Sequence, residues 1–170
     1  MPPRHVVVMG VTATGKTTVG RRLADALGSV FVEGDSFHPP ANIEKMSAGI
    51  PLDDDDRRPW LKTLAQEIAK LEASGQTSVT ACSSLRREYR DWLREGYPGL
   101  FFVHLSATYE ALLPRMTRRK HFMPPSLLRS QLDTLEPLED DEAGAVIDNT
   151  LPLQQVVAAS LDALRDAADG

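Results

Sequence analysis

Val6-Val7-Val8-Met9-Gly10-Val11-Thr12-Ala13-Thr14-Gly15-Lys16-Thr17-Thr18 decides the fold. Its first four residues are apolar and mostly β-branched, the mark of a strand buried on both faces in a parallel sheet. The stretch Gly10 to Thr17 matches G-x-x-x-x-G-K-[ST] in full. A chain of ordinary composition and this length would match by chance roughly once in two hundred. A helical stretch follows from Lys16 to about Leu27, with Val19, Leu23, Ala26 and Leu27 on one face and Gly28 as its cap. Strand, loop and helix are the context the pattern requires. In such a loop Gly10, Val11, Thr12, Ala13, Thr14, Gly15 and the first helical residues, Lys16 to Thr18, bring backbone N–H groups around an anion. Lys16 adds a point charge at the terminal phosphates of a nucleotide, and the Thr17 hydroxyl suits Mg²⁺.

Outward from this loop, strands and helices alternate. Val30-Phe31-Val32 is a second strand, ended by Glu33-Gly34-Asp35. Pro39 and Pro40 open a short segment that runs to Gly49. Asp53 to Asp56 fit the first turn of a long helix, where carboxylates face the positive end of the dipole. That run reads as a helix start rather than a metal site. Trp60, Leu61, Leu64, Ile68 and Leu71 form the helix's apolar stripe, and Gly75 ends it. Thr77–Ala81, Leu100–Leu105 and Ala145–Ile147 complete five strands. Helices are expected over Leu85–Glu95, Thr108–Arg118 with an interruption at Pro114, Leu127–Leu135 and Leu153–Ala168. This alternation implies an α/β fold, a parallel sheet with helices on both faces.

The whole chain, 170 residues, fits one domain at about 150 residues each. One cysteine, Cys82, excludes an internal disulfide, and four scattered histidines form no zinc pattern. A net charge of −5 argues against nonspecific nucleic-acid binding, and no apolar run is long enough to span a membrane. The N-terminus shows no cleavable signal pattern, so a cytoplasmic protein is expected.

A phosphate loop alone does not name a reaction. A guanine-reading Asn-Lys-x-Asp is missing from the sequence. The third strand ends in Ala81-Cys82-Ser83 without the carboxylate a motor ATPase usually carries. The acid follows the second strand instead, as Asp35, beside the phosphate loop. There it can face an acceptor hydroxyl, which suits phosphoryl transfer to a small molecule.

Further blocks carry a resemblance. Gly34-Asp35-Ser36-Phe37-His38-Pro39, Asn42-Ile43-Glu44-Lys45-Met46, Gly49-Ile50-Pro51-Leu52 and Asp54-Asp55-Asp56-Arg57-Arg58-Pro59-Trp60-Leu61 resemble the gluconokinases. So do Cys82-Ser83-Ser84-Leu85-Arg86, Tyr89-Arg90-Asp91, His121-Phe122-Met123-Pro124 and Ser130-Gln131. The resemblance implies transfer of the ATP γ-phosphoryl to the 6-hydroxyl of D-gluconate with Mg²⁺. It also implies a P-loop kinase fold related to shikimate and adenylate kinases, strand order 2-3-1-4-5, a small lid around residues 115–135, and a homodimer. A P-loop kinase for another hydroxy acid or polyol, and a non-catalytic nucleotide-binding regulator, stay open as alternatives.

Each candidate residue has a bland reading beside its functional one. Asp35 could cap the following segment; as a catalytic group it would orient the acceptor hydroxyl and take its proton. His38 is either a turn residue before Pro39 or a neutral ligand for a polyol. Lys45 alone reads as a solvated helix residue, and its substrate-binding role rests on the resemblance. Arg57 and Arg86 are solvated arginines or guanidiniums that hold a carboxylate bidentately. Cys82 reads as a small buried residue, and Trp60 and Trp92 as core. Arg115, Arg118, Arg119, Lys120 and His121 are the lid's basic cluster, from which an arginine would close on the transferring phosphoryl group. This lid is one residue shorter than the family's usual pattern, so the ATP-binding arginine is Arg118 or Arg119. Counting along the helix from Arg115 favours Arg119. Ala13 also stands where the family commonly has glycine.

Overall fold

The computed structural model describes residues 2–118 and 125–169. Five strands, β1 (His5–Met9), β2 (Val30–Glu33), β3 (Ser78–Ala81), β4 (Phe101–Ser106) and β5 (Gly144–Asp148), form one sheet in the order β2-β3-β1-β4-β5. Every neighbouring pair is parallel. Helices α1 (Lys16–Leu27), α2 (Pro40–Ser47), α3 (Asp54–Ala73), α4 (Arg87–Arg94), α5 (Tyr109–Arg118), α6 (Pro125–Thr134) and α7 (Leu153–Asp169) surround it. The expected α/β architecture and strand order are those observed. Among the described residues no helix is long and apolar enough to cross a membrane.

The β1 run is apolar at every position because both faces of its strand are covered. Val6 and Val8 join Val79, Val103 and Leu105 under α1 and α7, where Val19, Leu23, Val156 and Leu164 complete a layer. Val7 and Met9 face the other way, onto Trp60, Leu61, Leu64 and Ile68 of α3 and Tyr89 and Leu93 of α4. Fully burying such a side chain stabilises the fold by about 1.5–3 kcal/mol.

The acidic run starts α3 as its composition suggests. Asp53 accepts from the Asp56 N–H at 2.8 Å, and the Asp56 carboxylate accepts from the Asp53 N–H at 3.0 Å, a reciprocal capping box. Pro114 does not interrupt α5, which runs unbroken through it. Proline costs that helix one backbone hydrogen bond. The Thr108 hydroxyl caps the start at Ala111 N–H, 3.2 Å, and burial of Leu112 and Met116 holds the helix to the core.

Between β2 and α2 the chain makes a short 3-10 turn, Gly34–Phe37, where the sequence shows only the end of a strand. A side chain at residue 34 would meet the Ala81 carbonyl at 2.2 Å, so only glycine lets this turn lie against the end of β3. The Trp60 indole fastens it by donating to the Gly34 carbonyl at 2.8 Å. Farther along, buried Arg90 of α4 pairs with Glu142 at 2.7 Å and donates to the carbonyls of Ser84 and Glu136. One guanidinium thus ties the end of β3 to the chain that leaves α6.

Candidate active site

All five strands point their C-terminal ends at one edge of the sheet, and the loops there build two adjoining clefts, the usual place for a ligand in a parallel α/β fold. The first cleft brings Lys16 together with Asp35, His38, Arg57, Trp60, Ser130 and Gln131. The second lies on the other side of the phosphate loop, between Gly15, Thr18, Arg115, Asn149 and Leu153.

The phosphate loop leaves β1 at Gly10, whose N–H donates to the Ser83 carbonyl at 3.2 Å. A side chain at Gly10 would collide with the Leu105 carbonyl at 2.8 Å, which reserves the position for glycine. Thr14 closes the loop on itself through its hydroxyl and the Val11 carbonyl at 2.8 Å. Lys16 reaches back over the loop to the same carbonyl at 3.0 Å. The Asn149 amide, just beyond β5, donates to the Thr14 carbonyl at 2.6 Å, and Arg115 donates to the Asn149 carbonyl at 2.7 Å. Asn149 was not a candidate from sequence. The pairing spans 135 residues, and no local pattern announces it.

Glu33 is a second functional group that no local sequence pattern marks, being the last residue of β2. Its carboxylate accepts the Thr17 hydroxyl hydrogen and also accepts the Asp35 N–H at 3.3 Å. With its hydrogen directed to Glu33, Thr17 Oγ1 keeps lone pairs for a cation. That donor set fits Mg²⁺, which takes few protein ligands and completes its shell with phosphates and water. Among the described residues no group of three or more His, Cys, Asp or Glu converges on a metal position.

Asp35 and His38 face each other, with Oδ1 to Nε2 at 3.7 Å. The His38 ring stacks on Trp60 with centroids 3.9 Å apart. The Asn42 amide nitrogen lies 3.2 Å from His38 Nδ1 and also donates to the Asp56 carbonyl, so Nδ1 is the accepting nitrogen and the ring proton sits on Nε2, toward Asp35. Burial lowers the His38 pKa; Asp35 opposes that shift and the Arg57 charge adds to it. The imidazole is therefore neutral at pH 7. Trp60 is buried as expected, but it also forms a wall of the cleft.

Arg57 is only 7% exposed and donates to the Tyr89 hydroxyl at 2.8 Å. Lys45 and Arg86 lie outside the lining of this cleft. The Lys45 ammonium is held by both Asp56 oxygens, at 3.0 and 2.8 Å, which raises its pKa. Arg86 sits 3.6 Å from Asp54 in a neighbouring groove that shares Arg57 and Leu52 with the cleft. Cys82 is buried beside the cleft and its thiol is pushed up to about 11 by that burial, so it stays protonated. Arg119, Lys120, His121, Phe122, Met123 and Pro124 lie outside the described residues. So does the side chain of Arg118, whose backbone ends α5.

A family model for shikimate kinase matches residues 12–164. The gluconokinase of Gluconobacter oxydans strain 621H is 50% identical over 143 residues, covering 84% of this chain and 80% of that protein. The thermosensitive gluconokinase of Escherichia coli K12 is 46% identical over 147 residues, covering 86% and 79%. The chain belongs to the gluconokinase family. A crystal structure of a gluconokinase from Sinorhizobium meliloti 1021 superposes with a TM-score of 0.90 at 46% identity, over 98% of this chain and 94% of that one. Within this gluconokinase-family chain the shikimate kinase match begins inside the phosphate loop, after β1, and covers the residues that line both clefts and the other four strands.

Proposed function

We propose that this protein transfers the γ-phosphoryl group of ATP to the 6-hydroxyl of D-gluconate, giving 6-phosphogluconate and ADP. The observation that carries the acceptor is Arg57. It is a nearly buried guanidinium in a cleft wall, held by a neutral hydroxyl and, among the described residues, by no carboxylate, in the same cleft as Lys16 and Asp35. A buried cation without an anionic partner is costly, and the carboxylate of a sugar acid would supply one.

In this reading ATP lies across the phosphate loop. The loop's backbone N–H groups up to Thr18, other than those of Gly10 and Thr12, which Ser83 and Gln131 take, hold its phosphates with the Lys16 ammonium, and Arg115 and Asn149 wall the second cleft around the rest of the nucleotide. Thr17, oriented by Glu33, would hold Mg²⁺, which when bound offsets negative charge on the phosphates. Asp35 orients the acceptor hydroxyl. As the new O–P bond forms and the bond to the ADP oxygen breaks, the hydroxyl proton passes to Asp35. His38 donates through Nε2–H to an acceptor oxygen, and the Arg57 guanidinium holds the carboxylate. Arg86 and Lys45 act at the edge of this arrangement. Arg119, or Arg118 in its place, closes over the transferring group.

A coupled ADP-release assay across gluconate, its epimers, shikimate and simple polyols tests the reading. Turnover with gluconate well above the other acceptors is expected. Turnover confined to another acceptor, or tight ATP binding with no turnover on any of them, would overturn it.

A further inference from the structure

Helix α6 carries Ser130-Gln131, which the mechanism above leaves without a task. The helix is docked at its start: Leu128 enters the core under the sheet, and Leu127 packs with Met46 and Leu52 in a separate small cluster. Residues four apart share a helix face. Gln131 therefore stands on the Leu127 face, and both residues line the cleft that holds Lys16, Asp35 and Arg57. The far end of α6 is fixed as well, since the Glu136 N–H donates to the Leu85 carbonyl at 2.7 Å and Arg90 holds the Glu136 carbonyl.

One contact sets the orientation of the Gln131 side chain. Its Oε1 accepts the backbone N–H of Thr12, inside the phosphate loop, at 2.7 Å. A backbone N–H can only donate, so the oxygen end of the amide is the end at the loop. The nitrogen end, with two N–H donors, is left on the other side of the same planar group. Among the described residues it has no protein hydrogen-bond partner. A polyhydroxy acid presents hydroxyl and carboxylate lone pairs, and two fixed donors match them. Asp35, across the cleft, offers only acceptor atoms when ionised.

We propose that Gln131 is an acceptor-binding residue: the Thr12 amide holds its carbonyl, and its two amide N–H groups donate to oxygens of the sugar acid. The same side chain then touches the phosphate loop and the acceptor, so the acceptor's position is set relative to the loop that holds the phosphoryl donor. This inference rests on the assignment of the cleft to a sugar-acid acceptor.

The test compares Gln131→Met, which keeps length and removes both polar ends, with Gln131→Asn, which keeps the amide but is one methylene too short to serve both partners. Steady-state kinetics give the KM for gluconate, and calorimetry gives the Kd for ATP without gluconate. The KM for gluconate is expected to rise about 10-fold or more in both variants, the scale of a lost hydrogen bond to a charged group. The Kd for ATP should stay within about threefold, because the loop's other N–H groups remain. An unchanged gluconate KM overturns the proposal. So does a loss of ATP affinity as large as the loss for gluconate, which would make Gln131 a brace of the phosphate loop alone. Thermal melts verify folding, and if Gln131→Met does not fold, Gln131→Asn decides by the same criteria. Wild-type protein that fails to turn over gluconate overturns the acceptor assignment and this inference with it. Wild-type turnover with unaffected variants overturns the inference alone.

Discussion

The Arg57 guanidinium donates to the Tyr89 hydroxyl at 2.8 Å, and that hydroxyl in turn donates a hydrogen bond to the Asp54 carboxylate. The guanidinium carbon also lies 5.1 Å from the centroid of the Tyr89 ring. Two helices, α3 and α4, are joined at the cleft wall by this one side chain. Tyr89 holds the cation in place without neutralising it, whereas a carboxylate in the same position would compete with an anionic acceptor. Burial, with the hydrogen bond to Asp54, raises the Tyr89 pKa, so the hydroxyl stays neutral across the working range of pH.

Tyr89→Phe keeps the ring beneath Arg57 and removes only the hydroxyl. The guanidinium loses its anchor and must be repositioned when the acceptor binds. The KM for gluconate should rise about 3- to 10-fold, the size of one ordinary net hydrogen bond, because the substrate contact itself remains and only its anchor is lost. The kcat and the KM for ATP should hardly move, because ground-state and transition-state binding of the carboxylate weaken together. Initial-rate kinetics with each substrate varied in turn check this. A fall in kcat at constant gluconate KM would mean that Arg57 does not hold the substrate carboxylate.

Ala13 sits in the phosphate loop at φ 70°, the left-handed region that side chains disfavour. The loop's path requires that conformation, since Gly10 and Gly15 flank it at their own positive φ values. Ala13→Gly should stabilise the protein by about 1 kcal/mol and raise Tm by about 2–4 °C, as the steric strain outweighs the extra freedom of glycine in the unfolded chain. Turnover should be preserved, because the loop binds through backbone N–H groups. Calorimetric melts of the two proteins in one buffer measure it, and a lower Tm in the glycine variant would contradict the strain argument.

His104 lies in the middle of the sheet, 5% exposed, and its Nδ1 has no hydrogen-bond partner among the described residues. Burial first, and then the Arg90 charge, lower its pKa to about 4. The unfolded chain, with an ordinary histidine pKa near 6.5, takes up a proton that the folded chain refuses. The stability contribution is thus fully present above about pH 6.5 and is lost as pH falls toward 4. Between pH 6.5 and pH 5 the loss from this residue is about 2 kcal/mol. His38, also lowered by burial, adds to the loss in the same direction. His104→Leu should flatten the dependence and leave the protein at least as stable at pH 5, since it also removes the unpartnered nitrogen. Urea unfolding at pH 7, 6 and 5 follows both proteins. An equally steep decline in the variant would place the titrating group elsewhere.

What could be read from the sequence was what neighbouring residues decide together. The phosphate loop is contiguous from Gly10 to Thr17, and its strand and helix announce themselves by periodicity. The acids at Asp53–Asp56 signal a helix start for the same reason, and the capping box is there. The strand order came with the resemblance rather than from local pattern. Contacts set by tertiary approach were hidden. Glu33 looks like the polar end of a strand until the fold brings it to Thr17, 16 residues away. Gln131 reaches Thr12 across 119 residues, and Lys45 finds Asp56 instead of the cleft. At Pro114 the local rule was outweighed by burial of Leu112 and Met116 on the same helix.

Asp35 and Lys16 separate the two halves of the chemistry. Asp35 stands on the 3-10 turn that Gly34 and Trp60 hold against the end of β3, and Glu33 bridges from its N–H to Thr17, so its carboxylate is placed mainly by β3 and α3. The Asp35→Asn amide keeps the shape but can take no proton. It should lower kcat by about 10²-fold or more, the low end of what a positioned proton acceptor contributes. The Kd for ATP should stay within about twofold, because the change lies on the acceptor side. Lys16→Ala should lower kcat by about 10²-fold or more as well, through lost stabilisation of the phosphoryl charge, and should also weaken ATP binding. Neither change should cost much stability, since neither side chain belongs to the buried core. Single-turnover kinetics with preloaded ATP, alongside calorimetric ATP titrations, distinguish them. If Asp35→Asn weakens ATP binding and spares the chemical step, the acceptor hydroxyl does not sit at Asp35.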